Sequence, residues 1–214
     1  MDVSVQKKLE TFFSQYRPLN YKKGEILVRP EDPIFGIYLL KKGYIRQYII
    51  SEDGDEITIN IFRPVSYIPM MLAIGNTENK YHFETSSPVE VWRAPTDKML
   101  DFVKNEPEVL FDLAKRFAAG LNGLAQRFEG LMFENAYNRV VSLLLYLSKR
   151  FGEKGRGGII INLPLTHKDI AAWVNLTRET TSRQLEKLTE QEIISYNHQF
   201  ITIKNPQKLK KSQS

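Results

Sequence analysis

The stretch Thr166–Gln191, with the sequence THKDIAAWVNLTRETTSRQLEKLTEQ, constrains the fold of this chain more than any other. It predicts two short helices joined by a tight turn. Thr166 is a candidate N-cap with Asp169 three residues later, a pattern typical of a helix start. Asn175 ends this first helix, because Asn tolerates the left-handed backbone that a short inter-helix turn needs. One side of the helix is expected to be buried, through Ile170, Ala171 and Val174.

The second helix is predicted to begin after Thr177, a further N-cap candidate. Its apolar positions are sparse and come late, at Leu185, Leu188 and Ile193. The first two turns therefore have almost no apolar side chain to bury. They consist of Arg178, Glu179, Thr180, Thr181, Ser182 and Arg183. Arg can donate two hydrogen bonds to guanine, and Glu can accept one from cytosine, so this face suits the major groove of DNA. The alternative is a solvated helix with an internal pair between Glu179 and Arg183.

A predicted hairpin follows the two helices. Its strands are Ile193–Tyr196 and Phe200–Ile203, with a turn at Asn197 and His198. Two capped helices followed by a hairpin predict a winged helix-turn-helix. In this context we favour the DNA-binding interpretation over the solvated helix.

The run TRETTSRQLEKLTEQEIIS resembles the recognition helix of the catabolite-activator and fumarate-nitrate-regulator family of bacterial transcription factors. In catabolite activators the Arg, Glu and Arg of a similar run recognise a TGTGA-type half-site. The resemblance therefore implies base contacts for Arg178, Glu179 and Arg183. Ser182 is also assigned to the bases; it replaces the Gly usual in that branch and is similar to the Ser of the fumarate-nitrate branch. The expected half-site is TGTGA-like or TTGA-like.

Phosphate contacts are expected around this helix, because hydroxyls, cations and helix N-terminal amides favour backbone oxygens. The candidates are Thr166, His167, Lys168, Thr177, Thr180, and, in the wing, Asn197 and Gln199. Trp173 is expected in the core of the domain instead of on a base-stacking surface.

Positive charge is concentrated in the last part of the chain. Residues 135–214 hold 13 Lys and Arg against 6 Asp and Glu, whereas residues 1–134 hold 17 against 19. This asymmetry, within a formal net charge of +5, indicates a polyanionic partner. Lys208, Lys210 and Lys211 are interpreted as a solvated basic end.

The composition excludes several kinds of site. The chain has no cysteine, which excludes disulfides and the cysteine-ligated iron–sulfur cluster of an oxygen sensor. No apolar run approaches the ~20 residues of a membrane span, and the first 16 residues lack a signal-peptide core. The protein is expected to have no membrane partner and to stay in the cytoplasm.

Short apolar segments alternate with turn signals from Leu19 onward, after an amphipathic helix at Val5–Tyr16. This spacing predicts a small jelly roll or barrel. The pattern KGE...GIYLLKKGYIR...DGDE resembles the cyclic-nucleotide-binding-like sensor domain of the same family. The predicted fold class is α+β, with an N-terminal β jelly roll, a long dimerisation helix and a C-terminal winged helix-turn-helix.

The effector segment departs from the family's cyclic-AMP pattern. Cyclic-AMP binders carry a Gly-Glu pair for the ribose and an Arg-Ser pair for the phosphate. Here Ser66, Tyr67 and Ile68 stand near the first position, and Asn79 and Lys80 near the second. A pocket without an Arg fork holds a cyclic phosphate poorly, so we predict an effector other than cyclic AMP.

The candidate effector pocket consists of Tyr67, Met70, Met71, Lys80 and His82. Soft apolar and aromatic side chains can line a site for a hydrophobic ligand or a haem. The alternative is that they are core residues of a vestigial pocket. His82 lies near the axial histidine of the family's carbon-monoxide-sensing haem members, but a lone His more often serves a structural role. The effector itself is not identified.

The longest predicted helix is Pro107–Phe133. Leu110, Leu113, Phe117, Leu121, Leu124, Phe128 and Leu131 follow one another at spacings of 3, 4, 4, 3, 4 and 3. This near-heptad pattern predicts a parallel two-stranded coiled coil, with a dimer seam at Phe117, Leu121, Leu124, Phe128 and Leu131. The alternative is packing against the chain's own sensor domain.

The predicted domains are a sensor at residues 1–106, a dimerisation helix and hinge at 107–134, and a DNA-binding domain at 135–214. The hinge is placed at Phe133–Asn135, with Asn135 capping a helix at Ala136–Phe151. The predicted function is a homodimeric, non-enzymatic transcription regulator that binds double-stranded DNA and acts with RNA polymerase. Two alternatives stay open: a constitutive regulator with a vestigial pocket, and a cupin-type enzyme. The latter lacks a histidine cluster, since only His82 lies among the strands.

Overall fold

The computed structural model describes residues 2–197 and 199–212. The chain divides into two compact units. The first comprises the described residues up to Ile50 together with Thr58–Gly123, and the second comprises Ser51–Ile57 and the described residues from Leu124 onward.

The first unit is built around a β roll flanked by helices. Its helices are α1 (Val3–Phe13), α2 (Met70–Gly75), α3 (Thr96–Asn105) and the first part of α4 (Pro107–Phe133). Its strands, of which β5 begins in the segment assigned to the second unit, are β1 (Pro18–Tyr21), β2 (Ile26–Val28), β3 (Gly36–Lys42), β4 (Ile45–Ile50), β5 (Glu56–Phe62), β6 (Tyr67–Ile68), β7 (His82–Thr85) and β8 (Val89–Pro95). The predicted bounds of α4 are confirmed.

Two four-stranded antiparallel sheets form the roll, in the orders β1-β8-β3-β6 and β2-β7-β4-β5. Strand β3 is buried on both faces, because alternate side chains point to opposite sides. Ile37 and Leu39 pack with α1, α3 and the start of α4. Tyr38 and Leu40 pack with residues of the other sheet. The roll therefore has an inner core between the sheets and an outer core under the helices.

The structure of helix α4 differs from the predicted coiled-coil pattern at one position. Leu113 is 2% exposed and belongs to the core under the helices, so it does not lie on a free seam. Ala114, its neighbour, is exposed. Replacing Leu113 by Ala114 in the pattern gives spacings of 4, 3, 4, 3, 4 and 3 from Leu110 to Leu131, which is a regular heptad alternation.

The second unit contains the helices α5 (Ala136–Phe151), α6 (His167–Val174), α7 (Arg178–Glu190) and α8 (Pro206–Lys211). Its strands β9 (Gly152–Gly155), β10 (Gly158–Ile161), β11 (Ile194–Asn197) and β12 (Phe200–Ile203) form one sheet in the order β11-β12-β10-β9. The run GEKGRGG at residues 152–158 has the glycine-rich composition typical of a flexible loop, but it forms a β hairpin. It is ordered because β10 pairs with both β9 and β12.

The basic end of the chain is also more ordered than expected. Asn205 caps α8 and Pro206 is its first residue, two standard helix-start features. Leu209 is fully buried, and the Lys208 ammonium donates to the carbonyl of Gln191 at 2.8 Å. Lys208, Lys210 and Lys211 are all exposed, which agrees with a solvated basic end, but Lys208 also makes this hydrogen bond.

Helices α5, α6 and α7 surround a common core. Val140, Leu144 and Leu147 of α5 are fully buried. The residues predicted to be buried in α6 and α7 are all buried, namely Ile170, Ala171, Val174, Leu185, Leu188 and, after α7, Ile193. Trp173 is 4% exposed and packs edge-on against Tyr146 with ring centroids 5.9 Å apart, which confirms its core position.

Asn175 has the left-handed backbone predicted for it, with φ 53° and ψ 56°. An L side chain other than Asn or Asp pays about 1–2 kcal/mol in this conformation. We expect Asn175→Ala to lower the free energy of unfolding by about that amount, measured by urea denaturation. Asn175→Gly is the matched control, and we expect it to change the free energy by less than about 0.5 kcal/mol. Equal effects of the two substitutions would contradict a conformational role.

Candidate DNA-binding surface

Helix α6 begins with a capping box. The Thr166 hydroxyl accepts from the Asp169 amide at 3.1 Å, and the Asp169 carboxylate accepts from the Thr166 amide at 2.7 Å. The helix ends at Asn175, and Leu176 then hydrogen-bonds back to the carbonyl of Ala171. The predicted N-cap, turn and helix are confirmed, and together they set where α7 starts.

Helix α7 begins after Thr177, whose hydroxyl accepts from the Thr180 amide at 3.1 Å. Arg178, Glu179 and Arg183 are exposed. Arg183 donates to the Thr180 hydroxyl at 3.3 Å. Within residues 2–197 and 199–212, neither Arg178 nor Glu179 has a side-chain hydrogen bond or an ion pair. The internal pair of Glu179 with Arg183, considered above for a solvated helix, is not formed.

Ser182 and His167 are joined to each other. The Ser182 hydroxyl lies 2.7 Å from Nδ1 of His167, and both side chains are half-buried. Among the other candidates for phosphate contact, Lys168, Thr177 and Asn197 are exposed, and Thr166, Thr180 and Gln199 are half-buried. Sequence reasoning missed the link between His167 and Ser182, because the two residues are 15 positions apart and share no periodic pattern.

The wing hairpin β11–β12 is hydrogen-bonded to Leu165, which precedes the N-cap residue of α6. The amide of Leu165 donates to the carbonyl of Gln199 at 2.8 Å, and the Tyr196 hydroxyl donates to the carbonyl of Leu165. Burial, with a smaller contribution from the negative charge of Asp169, raises the pKa of the Tyr196 phenol. The ring of Tyr196 also packs against His167 at 5.0 Å. His198, assigned to the wing turn from the sequence, lies outside the described residues.

Thr181 is an exception to the prediction that the first two turns of α7 bury almost nothing. It is fully buried, and no hydrogen-bond partner for its hydroxyl is found in the described chain. An unpaired buried hydroxyl costs about 1–3 kcal/mol. We expect Thr181→Val, which keeps the shape, to raise the free energy of unfolding by about 1 kcal/mol in urea denaturation. Thr180→Val is the control and should not stabilise, since its hydroxyl is hydrogen-bonded. A loss of stability in Thr181→Val would contradict this account.

The predicted hinge is held by side chains of α5. Arg139 donates to the carbonyls of Leu131 at 2.8 Å and Glu134 at 3.1 Å, which satisfies carbonyl groups at the end of α4. Ser142 donates to the Glu134 carboxylate at 2.7 Å. Asn135 caps α5 as predicted. The turn between α4 and α5 is therefore a defined structure with several specific contacts.

The five residues of the candidate effector pocket do not share one environment. Tyr67 and Met70 are buried in the core under the helices, whereas Met71 and Lys80 are exposed. Burial raises the pKa of the Tyr67 phenol, and its hydroxyl donates to Asp112 of α4 at 3.3 Å. His82 is half-buried and stacks on Tyr48 with ring centroids 4.8 Å apart.

Asn79, near the position of the family's Arg-Ser pair, is 3% exposed and its amide is fully used. The side-chain nitrogen donates to the carbonyls of Arg29 and Tyr81, and the side-chain oxygen accepts from the Tyr81 amide at 3.0 Å. Asn79 therefore stabilises its own loop. Among the described residues, no three His, Asp or Glu side chains are grouped closely enough to hold a metal ion. No helix in the described ranges has the length and apolar content needed to cross a membrane.

Two family models match separate parts of the chain. A Crp-like helix-turn-helix domain matches residues 138–212, and a cyclic nucleotide-binding domain matches residues 18–106. The first match covers α5 through α8, and the second covers the β roll and α3. The matches agree with the two structural units and with the candidate DNA-binding surface.

The comparisons with whole proteins give the same result. The chain is 30% identical to the global nitrogen regulator of Nostoc sp. over 96% of each protein. It is 26% identical to the fumarate and nitrate reduction regulatory protein of Yersinia pestis, over 94% of this chain and 80% of that protein.

Two solved structures extend the likeness to the fold. A CooA mutant from Carboxydothermus hydrogenoformans matches with a TM-score of 0.80 and 24% identity over 95% of this chain and 90% of that one. A transcriptional regulator of the CRP/FNR family from Thermus thermophilus matches with a TM-score of 0.74 and 25% identity over 92% and 98%. The predicted fold class is confirmed. The chain belongs to the catabolite-activator and fumarate-nitrate-regulator (CRP/FNR) family of DNA-binding transcription regulators.

Proposed function

We propose that this regulator is a homodimer that binds an inverted-repeat operator through α7, under the control of an effector other than cyclic AMP. In this proposal Arg178, Glu179, Ser182 and Arg183 contact bases, and Thr166, His167, Lys168, Thr177, Thr180, Asn197 and Gln199 contact the backbone. The functional parts are a sensor at residues 1–106, a dimerisation helix and hinge at 107–134, and a DNA-binding domain at 135–214. RNA polymerase is the proposed protein partner.

The observation that carries the proposal is the exposed polar start of α7. Arg178 and Glu179 are exposed and have no intramolecular partner in the described ranges, while later residues of the helix anchor it in the core. Exposed side chains without partners keep their full hydrogen-bonding capacity for base edges. A helix that follows another across a short turn, as α7 follows α6, is the standard arrangement for entering the major groove.

Dimerisation is supported by the apolar side of α4. Leu121 is 70% exposed, Leu124 45%, and Phe128 65% in the single chain. Large apolar side chains repeated along one helix at heptad spacing form a seam for a second helix. Two copies of α7 related by a two-fold axis would contact half-sites about 34 Å apart, or one turn of DNA.

The residues at the position of the family's phosphate-binding pair support an effector other than cyclic AMP. The side-chain amide of Asn79 is hydrogen-bonded to backbone groups, and Lys80 is exposed and offers a single point charge. A cyclic phosphate is bound best by an Arg fork or by several donors aimed at one point. The burial of Tyr67 and Met70 favours the second candidate, a constitutive regulator with a vestigial pocket.

The operator test uses the full-length protein in a mobility-shift assay with a randomised DNA library. We expect enrichment of an inverted repeat with TGTGA-like or TTGA-like arms whose centres lie one helical turn apart. Enrichment of a single arm would contradict the homodimer, and the absence of any sequence preference would contradict base recognition by α7.

The effector test compares the protein as purified with the same protein after unfolding, dialysis and refolding. Native mass measurement reports a retained small ligand, and absorbance near 400 nm reports a haem, for which His82 is the candidate ligand. We expect a bound molecule other than cyclic AMP, whose removal changes operator affinity. Equal affinity with no added mass would support the constitutive regulator instead.

A further inference from the structure

The link between His167 and Ser182 connects the start of α6 to the exposed side of α7. His167 is the first residue of α6, and Ser182 lies one turn beyond Arg178 and Glu179. The Nδ1 to Oγ distance of 2.7 Å is that of a good hydrogen bond. Tyr196 packs against the imidazole from the wing and restricts its orientation. The imidazole of His167, the first residue of α6, therefore contacts both α7 and the wing.

The two nitrogens of a neutral imidazole have opposite roles, since one donates and the other accepts. The start of a capped helix such as α6 favours a phosphate oxygen, through its free amides and its positive end. A phosphate at this position would take a hydrogen bond from Nε2–H of His167. Nδ1 would then be the acceptor nitrogen, and the hydroxyl hydrogen of Ser182 would be donated to it.

We propose that His167 determines how Ser182 recognises a base. Because the serine hydrogen is donated to Nδ1, Ser182 presents only acceptor lone pairs to the major groove. An acceptor selects cytosine N4–H₂ or adenine N6–H₂ and rejects guanine O6 and thymine O4. His167 is thus a positioning residue that links a backbone contact to base selection. This inference rests on the proposed function, in which α7 enters the major groove.

Three variants of the full-length protein separate the two nitrogens. Ser182→Ala removes the hydroxyl. His167→Asn places an amide near the position of Nδ1 and so keeps a partner for Ser182, but it loses the donor at Nε2. His167→Gln places its amide near Nε2 and loses the partner of Ser182. For each variant we would measure affinity for operators in which every base pair of the half-site is changed in turn.

We expect Ser182→Ala to reduce the preference at one base pair per half-site by about fivefold or more, the scale of a single mismatched position. His167→Gln should reduce the preference at the same base pair to within about twofold of Ser182→Ala. A double variant that combines Ser182→Ala with His167→Gln should show no further loss of preference at that base pair. His167→Asn should keep the base preference and weaken binding to all sequences by a similar factor. These preferences are ratios within one protein preparation, so a partly unfolded variant does not distort them.

The inference is overturned if His167→Gln keeps the wild-type preference, or if Ser182→Ala changes no single position. It is also overturned if the effects of Ser182→Ala and His167→Gln at that base pair add. Failure of the proposed function is distinguishable, because the wild-type protein itself would then select no inverted repeat.

Discussion

Replacing Leu121 by Glu is expected to convert the proposed dimer to a monomer at micromolar concentration. Leu121 is 70% exposed in the single chain, so the substitution leaves the monomer's own core intact. In a symmetric seam two Leu side chains would lose their burial, at about 1.5–3 kcal/mol each, and two negative charges would face each other. The dissociation constant of the dimer should therefore rise by about a thousandfold or more. Sedimentation equilibrium would measure it.

Asn122→Glu is the matched control for this substitution. Asn122 is exposed on the same helix, about 100° around from Leu121, and receives the same side chain. We expect the control to remain a dimer with unchanged operator affinity, whereas Leu121→Glu should bind single half-sites only. A dimeric Leu121→Glu protein would show that α4 does not form the seam.

Features fixed by neighbouring residues were predicted well from the sequence. Thr166, Asn175 and Thr177 set the ends of α6 and α7 through caps and one left-handed residue, and the structure contains each of them. The bounds of α4 and α5 also follow from local periodicity and capping. Such features depend on hydrogen bonds within a few residues, so the local sequence specifies them.

Features fixed by distant residues were not predicted. The Gly-rich run after α5 forms a hairpin because β10 pairs with β12, which lies about 40 residues further along the chain. Leu113 and Ala114 are adjacent, and periodicity alone did not show which of them faces the chain's own core. The buried Thr181 belongs to the same class, since only tertiary packing places its side chain inside the domain.

The candidate effector residues illustrate the same limit. Met70 and Met71 are adjacent in α2, yet Met70 is 1% exposed and Met71 is 55% exposed. A short helix has a buried and an exposed side, and two identical side chains in sequence fall on different sides of it. The composition of the segment indicated an apolar pocket, but the structure places Tyr67 and Met70 in the core and leaves Met71 exposed.

Replacing Arg183 by Ala is expected to weaken operator binding and to relax base preference at one position per half-site while leaving the fold intact. Arg183 is exposed, and within the described residues its side chain makes one hydrogen bond, to Thr180 at 3.3 Å, so the monomer loses little stability when it is replaced. A bidentate Arg contact to guanine contributes about 1–3 kcal/mol of discrimination, and a dimer loses it in both half-sites. Operator affinity should fall by about 2–6 kcal/mol, measured by fluorescence anisotropy at fixed salt, and base preference should relax at one position per half-site.

Arg183→Lys is the control that keeps the charge but removes the planar fork. It should keep non-specific affinity and lose the preference, and a fully selective Arg183→Lys protein would show that Arg183 acts on the phosphate backbone instead of a base.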